Sequence, residues 1–371
     1  YMIKFKKKIQ FYFKRFFQIA FMLIYGEIKY KSNVIASKNI VKKKIENIIS
    51  DINNSESYFS YKINNGRVYT DYVEHVAIID GNNLVNKASH QQISGELKDA
   101  KENIVLTKGT PRIKKKIKGR VLTLVQGASG NKNYFHWVFD ILPKIKLCSE
   151  HYLLNEIDFF YLPKLQNFQK QTLSIFGIGE EKILSSNLYR HIQASELIVV
   201  DHPWYHKGFI LDQVEFLPSW IIHWLRDVYL KCAKKFDGNE KIYIDRTESK
   251  FNHCQIQNDN EIFDFLKEKG YSKYKVGDLS FFEQIYLFQN AKNIIGAHGA
   301  AFTNLVFCEP NTKIIEIRPS TQPNNNYKRI SQVANLDYRL IETKKLNENQ
   351  KKLGDIYLPI KELDHCIKSF G

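Results

Sequence analysis

The sequence predicts an α/β protein of two domains behind a basic N-terminal helix. Three observations predict it. Short β-branched apolar runs alternate with helix-sized amphipathic segments over most of the 371 residues. Glycine-rich or polar turns stand where several of those runs end. The basic charge is concentrated at the N-terminus: residues 1–50 hold 12 Lys/Arg against 2 Asp/Glu, so +10 of the net +16 resides there.

Composition bounds the classes. Apolar content of 43% and aromatic content of 13% suffice for real cores. A nucleic-acid enzyme would spread basic charge along its folded body, and this chain does not. Five scattered cysteines, none in a C-x-x-C pair, fit neither a zinc nor a disulfide scaffold. Reduced thiols in a cytoplasmic protein are the expectation.

Residues 2–25 read as one helix. Lys4, Lys7, Lys8, Lys14, Arg15 and Gln18 share one face; Ile9, Phe13, Phe16, Phe17, Ala20, Leu23 and Ile24 share the other. The apolar run Ile19 to Tyr25 falls well short of the roughly 20 residues that cross a bilayer, and no small-residue cleavage site follows. An amphipathic helix on an anionic membrane surface is expected; packing against the protein's own core is the alternative.

Residues 31–118 are polar, with weak strands near Val73–Ile79 and Ile104–Leu106. The basic run Pro111–Lys118 reads as a loop, solvated or touching a phosphate. From Arg120 the pattern sharpens: a strand (Val121–Val125), a loop (Gly127 to Asn133), and a helix from Tyr134 to about Pro143. His136 and Asp140, at i and i+4, share a helix face. They follow a strand's carboxyl end, where open α/β sheets place their sites. A histidine oriented by a carboxylate suits a general base; an ordinary helix pair is the plain alternative. Trp137 and Phe139 read as core. Strands at Ile157–Leu162 and Leu197–Val200 complete the first domain, and Asp201 to His206 reads as a polar loop, not a metal site.

A helix at Pro218–Lys235 leads to the second domain. There the strand Lys241–Ile244 precedes Arg246, which is placed to fork onto a phosphate or to lie on the surface, with Lys250 in support. A helix (Asn260–Lys269), a strand (Lys273–Val276) and a helix (Phe281–Ala291) follow. The stretch Lys292 to Pro319 then reads as strand, tight turn, helix and strand. Gly296 and Gly299 bracket the turn, where glycine permits positive φ or close ligand approach. Ala300 opens the helix, whose N-terminus suits an anion, and His298, Thr303 and Asn304 lie near the mouth. The alternative is a plain βα turn capped by His298.

Three segments together resemble glycosyltransferase family 61. They are Asn133-Tyr134-Phe135-His136-Trp137 with Asp140 and Pro143; Tyr243-Ile244-Asp245-Arg246 with Asn258 and Glu261; and Phe282-Glu283-Gln284 leading to Gly296 through Asn304 and Ile314-Ile315-Glu316. They fall in the family's order over residues 120 to 320. The family's further arginines about six residues after position 246 are replaced by Asn252 and His253, which leaves Lys250 as the candidate second cation.

The resemblance implies a GT-B-like architecture: two Rossmann-like domains facing across a cleft, here residues 31–215 and 216–345, with the helix at 1–30 and a tail at 346–371. It also implies inverting, metal-independent transfer from a nucleotide sugar, foremost a UDP-sugar, with no cofactor. The acceptor would be an oligosaccharide or lipid-linked glycan, in bacterial capsule or lipopolysaccharide synthesis. On this reading Arg246, the helix N–H groups and His298 meet the leaving charge, and Glu316 accepts from ribose hydroxyls. His136 is the preferred base with Asp140 orienting it; the reverse assignment stays open. The enzyme would sit in the cytoplasm, peripheral on the inner face of the cell membrane. The competing classes are a catalytically silent α/β scaffold and a nucleic-acid-binding protein.

Overall fold

The computed structural model describes residues 2–32, 37–48, 51, 57–70, 75–126, 132–205, 208–246, 254–321, 324–344 and 354–370, residues 2–7 through their backbone. The chain divides into two compact units, Tyr1–Ile210 and Leu211–Gly371. Both are mixed α and β and contain parallel strands.

The first unit opens on α1 (Met2–Tyr25). Gly26, in the left-handed region at φ 81°, closes the helix with its N–H on Met22 O at 2.8 Å. Strands β1 (Ile40–Ile45), β2 (Tyr58–Asn64), β3 (Arg67–Thr70) and β4 (Val76–Asp80) form an antiparallel portion. Then come β5 (Lys115–Thr123), β6 (Phe159–Leu162), β7 (Ile183–Ser185) and β8 (His191–Val200). Strands β5, β6 and β7 run parallel in sequence order. The long β8 returns to lie parallel to β5 on its other side, and its far edge pairs antiparallel with β2 and β3. Among the described residues this makes one ten-stranded mixed sheet.

That half-antiparallel construction departs from a plain Rossmann unit. The first strand buries only its end residues, Ile40 and Ile45, and leaves Val41 and the lysines at 42–44 partly or fully in solvent. Two local readings also change. Residues 104–106 are not a strand: Val105–Lys108 is a helical turn, capped by the Asn103 side chain and closed by Gly109 at φ 63°. From Lys115 on, the basic run is the start of β5 rather than loop.

Helix α2 covers Tyr134–His136, a π turn at Trp137–Ile141, and Leu142–Ser149. It runs past Pro143, where the sequence had suggested its end. The π turn explains this. Leu142 N–H reaches back to Trp137 O, and the local widening lets a residue without an N–H follow.

After short helical turns at Ile210–Gln213 and Val214–Phe216, the first long helix of the second unit is α3 (Ser219–Tyr229). Its strands are β9 (Lys241–Ile244), β10 (Ser272–Tyr274), β11 (Asn293–Ala297), β12 (Lys313–Pro319) and β13 (Asp337–Thr343). All run parallel, in the spatial order β10-β9-β11-β12-β13. Helices α4 (Asp259–Glu268), α5 (Phe281–Asn290) and α6 (Asn326–Val333) connect them, and α7 (Ile360–Lys368) ends the unit. A capping box starts α5: Ser280 and Glu283 exchange hydrogen bonds at 2.9 and 3.3 Å. Ile294, Ile295, Ile314 and Ile315 are almost fully buried, as strands covered on both faces require.

Candidate functional site

In the first unit the chain order reverses at β5. Strand β6 lies on one side of it and β8 on the other, so the switch point falls between β5 and β8. Register pairs Val121 with Leu197 and Leu122 with Ile198, which brings Gln126 and residues 201–205 to the same end of the sheet. Of the intervening loop, residues 127–131 lie outside the described residues. Asn133 then caps α2, its side-chain oxygen accepting from Phe135 N at 2.9 Å and His136 N at 3.4 Å.

His136 and Asp140 come together as the spacing predicts. His136 Nδ1 lies 2.8 Å from Asp140 Oδ2, with Asp140 fully buried and the His136 side chain 19% exposed. Two residues that the sequence reading left in a polar loop complete the arrangement. Trp204 Nε1 donates to Asp140 Oδ1 at 2.9 Å. His202 Nε2 stands 3.7 Å from Asp140 Oδ2.

Elementary donor counting then fixes the protons. His202 Nδ1 accepts backbone N–H groups from Trp204 (3.4 Å) and Tyr205 (3.0 Å), so its proton must be on Nε2, facing Asp140. Burial lowers the His202 pKa, which keeps that ring neutral. Burial alone would raise the Asp140 pKa, but His136 and His202 override it and hold the carboxyl well below its ordinary range. An ionised Asp140 holds the His136 proton on Nδ1 and leaves the basic lone pair on Nε2. One helical turn on, buried Lys144 donates to Gln126 O at 3.0 Å. Burial pulls its pKa down to about 7 against the opposing pull of Asp140 and Asp201.

In the second unit the spatial order again reverses between the first and third strands, β9 and β11. A pocket lies at that point, lined by Tyr243, Ile244, Arg246, Gln255, Asp259 and Ala297 among others. Arg246 follows the end of β9, and burial lowers its pKa. Its guanidinium occupies the space beside Gly299, where an added Cβ would fall 1.1 Å from Nη1. Tyr243 OH donates to Asp259 Oδ1 at 2.6 Å, and Lys273 pairs with the same carboxylate.

Several expectations about this turn are corrected. Neither Gly296 nor Gly299 lies in the left-handed region; Gly299 is extended, at φ 169°. Each glycine makes room for a side chain: Gly299 for Arg246, and Gly296 for Ile244 and Phe302. His298 does not cap the following helix. Its N–H extends the sheet to Ile317 O at 2.8 Å, and its Nδ1 hydrogen-bonds Glu316. Glu316 is 1% exposed, and its other oxygen accepts from Tyr338 OH at 2.6 Å. That places Glu316 behind His298 as its hydrogen-bonded partner. Ala300 opens a 3-10 helix, Ala300–Phe307. Thr303 and Asn304 are fully buried, and Asn304 donates to Gln284 Oε1 on α5 at 3.0 Å, so both face inward. Lys250, Asn252 and His253 lie outside the described residues.

Residues 134–315 match the family model Glycosyltransferase 61. The chain carries a glycosyltransferase family 61 domain. The matched segment runs from the start of α2 to within β12, taking in His136, Asp140, His202, Trp204, Arg246 and His298. A beta-1,2-xylosyltransferase of Oryza sativa subsp. japonica, RCN11, is 32% identical over 136 residues. That alignment spans 36% of this chain and 22% of the rice protein, so the chain covers about a fifth of the relative's length.

Within the family 61 segment, reasoning from sequence missed His202, Trp204 and Lys144. Trp204 and His202 carry no local signal, because only the pairing of β5 with β8 brings them to Asp140. The cap at Asn133 also went unread, although an Asn directly before a helix is its signal.

Proposed function

We propose that the chain is a glycosyltransferase that moves a sugar, with inversion and without a required metal, from a nucleotide-sugar donor to a glycan acceptor. The observation that carries this reading is the His136–Asp140 pair, caged by Trp204 and His202 at a switch point inside the family 61 segment. Asp140 is fully buried with both oxygens engaged, which favours it as the orienting group and His136 Nε2 as the base.

In the transfer, His136 Nε2 takes the proton of an acceptor hydroxyl as its oxygen attacks the anomeric carbon. The new C–O bond forms while the bond to the donor phosphate oxygen breaks, and the nucleoside diphosphate leaves with that electron pair. Arg246 on the second unit meets the departing charge, with His298, oriented by Glu316, beside it. Lys250 remains a candidate second cation. A GT-B arrangement would place the two units across a cleft. A UDP-sugar is the foremost donor, and the rice relative adds xylosyl donors to the first screen.

The acceptor we propose is a lipid-linked or oligosaccharide glycan of a bacterial capsule or lipopolysaccharide, met at the inner face of the cell membrane. Helix α1 supports that placement. Phe13, Phe16, Leu23 and Ile24 on its apolar face are 64, 67, 84 and 67% exposed, while Lys8, Lys14 and Arg15 are also in solvent. Its last turn is held by the body through Tyr25, whose hydroxyl accepts Lys114 N–H at 3.0 Å and whose ring packs on His191. Exposed aromatics opposite a lysine face suit an anionic bilayer surface. No described helix is long and apolar enough to cross a membrane.

The test is a thermal-shift screen of UDP, GDP and CMP and their sugars with EDTA present, followed by donor-turnover assays. A nucleotide that binds only the folded protein stabilises it by about 2.7 kcal/mol at a hundredfold excess over Kd. A shift that survives EDTA, with donor turnover, supports the proposal; no shift with any nucleotide favours the scaffold reading.

A further inference from the structure

We infer that the folded body of the first unit itself touches an anionic bilayer, through a basic and apolar patch where the start of β5 meets the turn before β8. The inference rests on the membrane placement of α1 proposed above and extends it from the helix to the body. Residues 108–118 hold six Lys/Arg and no Asp or Glu. Arg112, Lys115, Lys116 and Lys118 are exposed. Among the described residues, Lys114, Lys115, Lys116 and Lys118 pair with no carboxylate. Burial, then the charges of Arg67 and Lys116, push the Lys114 pKa down, as befits a cluster that lacks a counter-anion.

Two large aliphatic side chains stand among these cations. Ile113 is 81% exposed and Leu188 76%. Lys115 Nζ lies 5.8 Å from the centroid of the Tyr189 ring, so the turn that carries Leu188 adjoins the strand that follows Ile113. The patch is also continuous with the root of α1. Lys114 donates its N–H to Tyr25 OH at 3.0 Å, and its Nζ lies 5.2 Å from the centre of the Tyr25 ring. One turn earlier, Met22 packs on Gly109, where an added Cβ would fall 2.8 Å from Met22 Cγ.

This mixture selects the partner. Nucleic-acid phosphates would satisfy the lysines but leave Ile113 and Leu188 in water. An anionic bilayer takes both, with headgroups on the lysines and the aliphatic tips at the acyl boundary. Contact at the patch as well as along α1 stops the body from swinging about the root of the helix, and so fixes how the His136–Asp140 pair is presented to the surface.

The test uses the full chain and phosphatidylcholine vesicles with or without phosphatidylglycerol. The emission that Leu188→Trp adds to the wild type should be quenched by acyl-brominated lipid when phosphatidylglycerol is present. Ile113→Glu with Leu188→Glu should weaken binding to those vesicles at least about ten-fold. Lys115→Gln and Lys116→Gln should each weaken it roughly five-fold. All four positions are exposed, so the melting temperature should stay within about a degree. If the wild type binds while Leu188→Trp is unquenched, or while the Ile113/Leu188 variant binds undiminished, α1 alone is the contact and the patch is overturned. A wild type that ignores phosphatidylglycerol overturns the patch and the membrane placement together. Binding of duplex DNA that the lysine substitutions weaken, and Ile113→Glu with Leu188→Glu does not, would overturn it in favour of nucleic acid.

Discussion

Trp204 donates its indole N–H to Asp140 Oδ1 at 2.9 Å, across 64 residues of sequence and two neighbouring strands. With both residues buried, this bond and the one to His136 engage both Asp140 oxygens, so on the proposed mechanism Asp140 holds His136 rather than meeting the acceptor. Removing it therefore acts on the base at one remove. Trp204→Phe is expected to lower kcat by about ten- to a hundredfold, the cost of roughly 1.5–3 kcal/mol for a hydrogen bond to a charged group. It should also shift the acidic limb of the kcat–pH profile. An unchanged profile would mean that Trp204 only packs.

Gly299 and Arg246 share one space. Because Gly299 is extended, an alanine there meets no backbone strain, and its effect isolates the contact with the guanidinium. Gly299→Ala should abolish the nucleotide thermal shift and cost about 1–3 kcal/mol through overpacking. In Arg246→Ala, adding Gly299→Ala should cost almost nothing more, a coupling that a double-mutant cycle reads directly.

Lys144 gives a pH signature. Its folded pKa of about 7 lies below its ordinary value of 10.5, so the unfolded chain binds the extra proton between those values. Stability therefore rises with pH across that window, and the burial cost is complete below about pH 7. Lys144→Met removes that cost. Relative to wild type, the variant should gain about 2–3 kcal/mol more at pH 6 than at pH 9, measured by urea unfolding. A pH-independent difference would show that the ammonium is better compensated than its surroundings indicate.

The apolar face of α1 makes no such demands on the fold. Phe16 and Leu23 are so exposed that Phe16→Glu with Leu23→Glu should leave the melting temperature within about a degree. The same pair should cut co-sedimentation with anionic phosphatidylglycerol vesicles by at least about ten-fold. Undiminished co-sedimentation would place the membrane contact elsewhere.

The second unit was legible because parallel strands buried on both faces write themselves as β-branched runs, Ile294-Ile295 and Ile314-Ile315 above all. Of the antiparallel half of the first unit only β4, expected near Val73–Ile79, was legible. Strand Ile40–Ile45 reads as a lysine run, and no local pattern announces its pairing with Tyr58–Asn64. His136 and Asp140 could be paired by helical spacing alone. His202 and Trp204 could not, since their approach depends on β8 crossing back beside β5. At the turn before Ala300 the glycines were noticed, but their purpose was hidden. A sequence shows where a Cβ is missing, and only the fold shows that a guanidinium fills the gap.

The most direct measurement is donor consumption and transfer by His136→Ala, with the donor that the nucleotide screen identifies. The account predicts a loss of about 10²- to 10⁴-fold in kcat, the range of a general base, with circular dichroism and the nucleotide thermal shift unchanged. Full activity in a folded His136→Ala protein would contradict it.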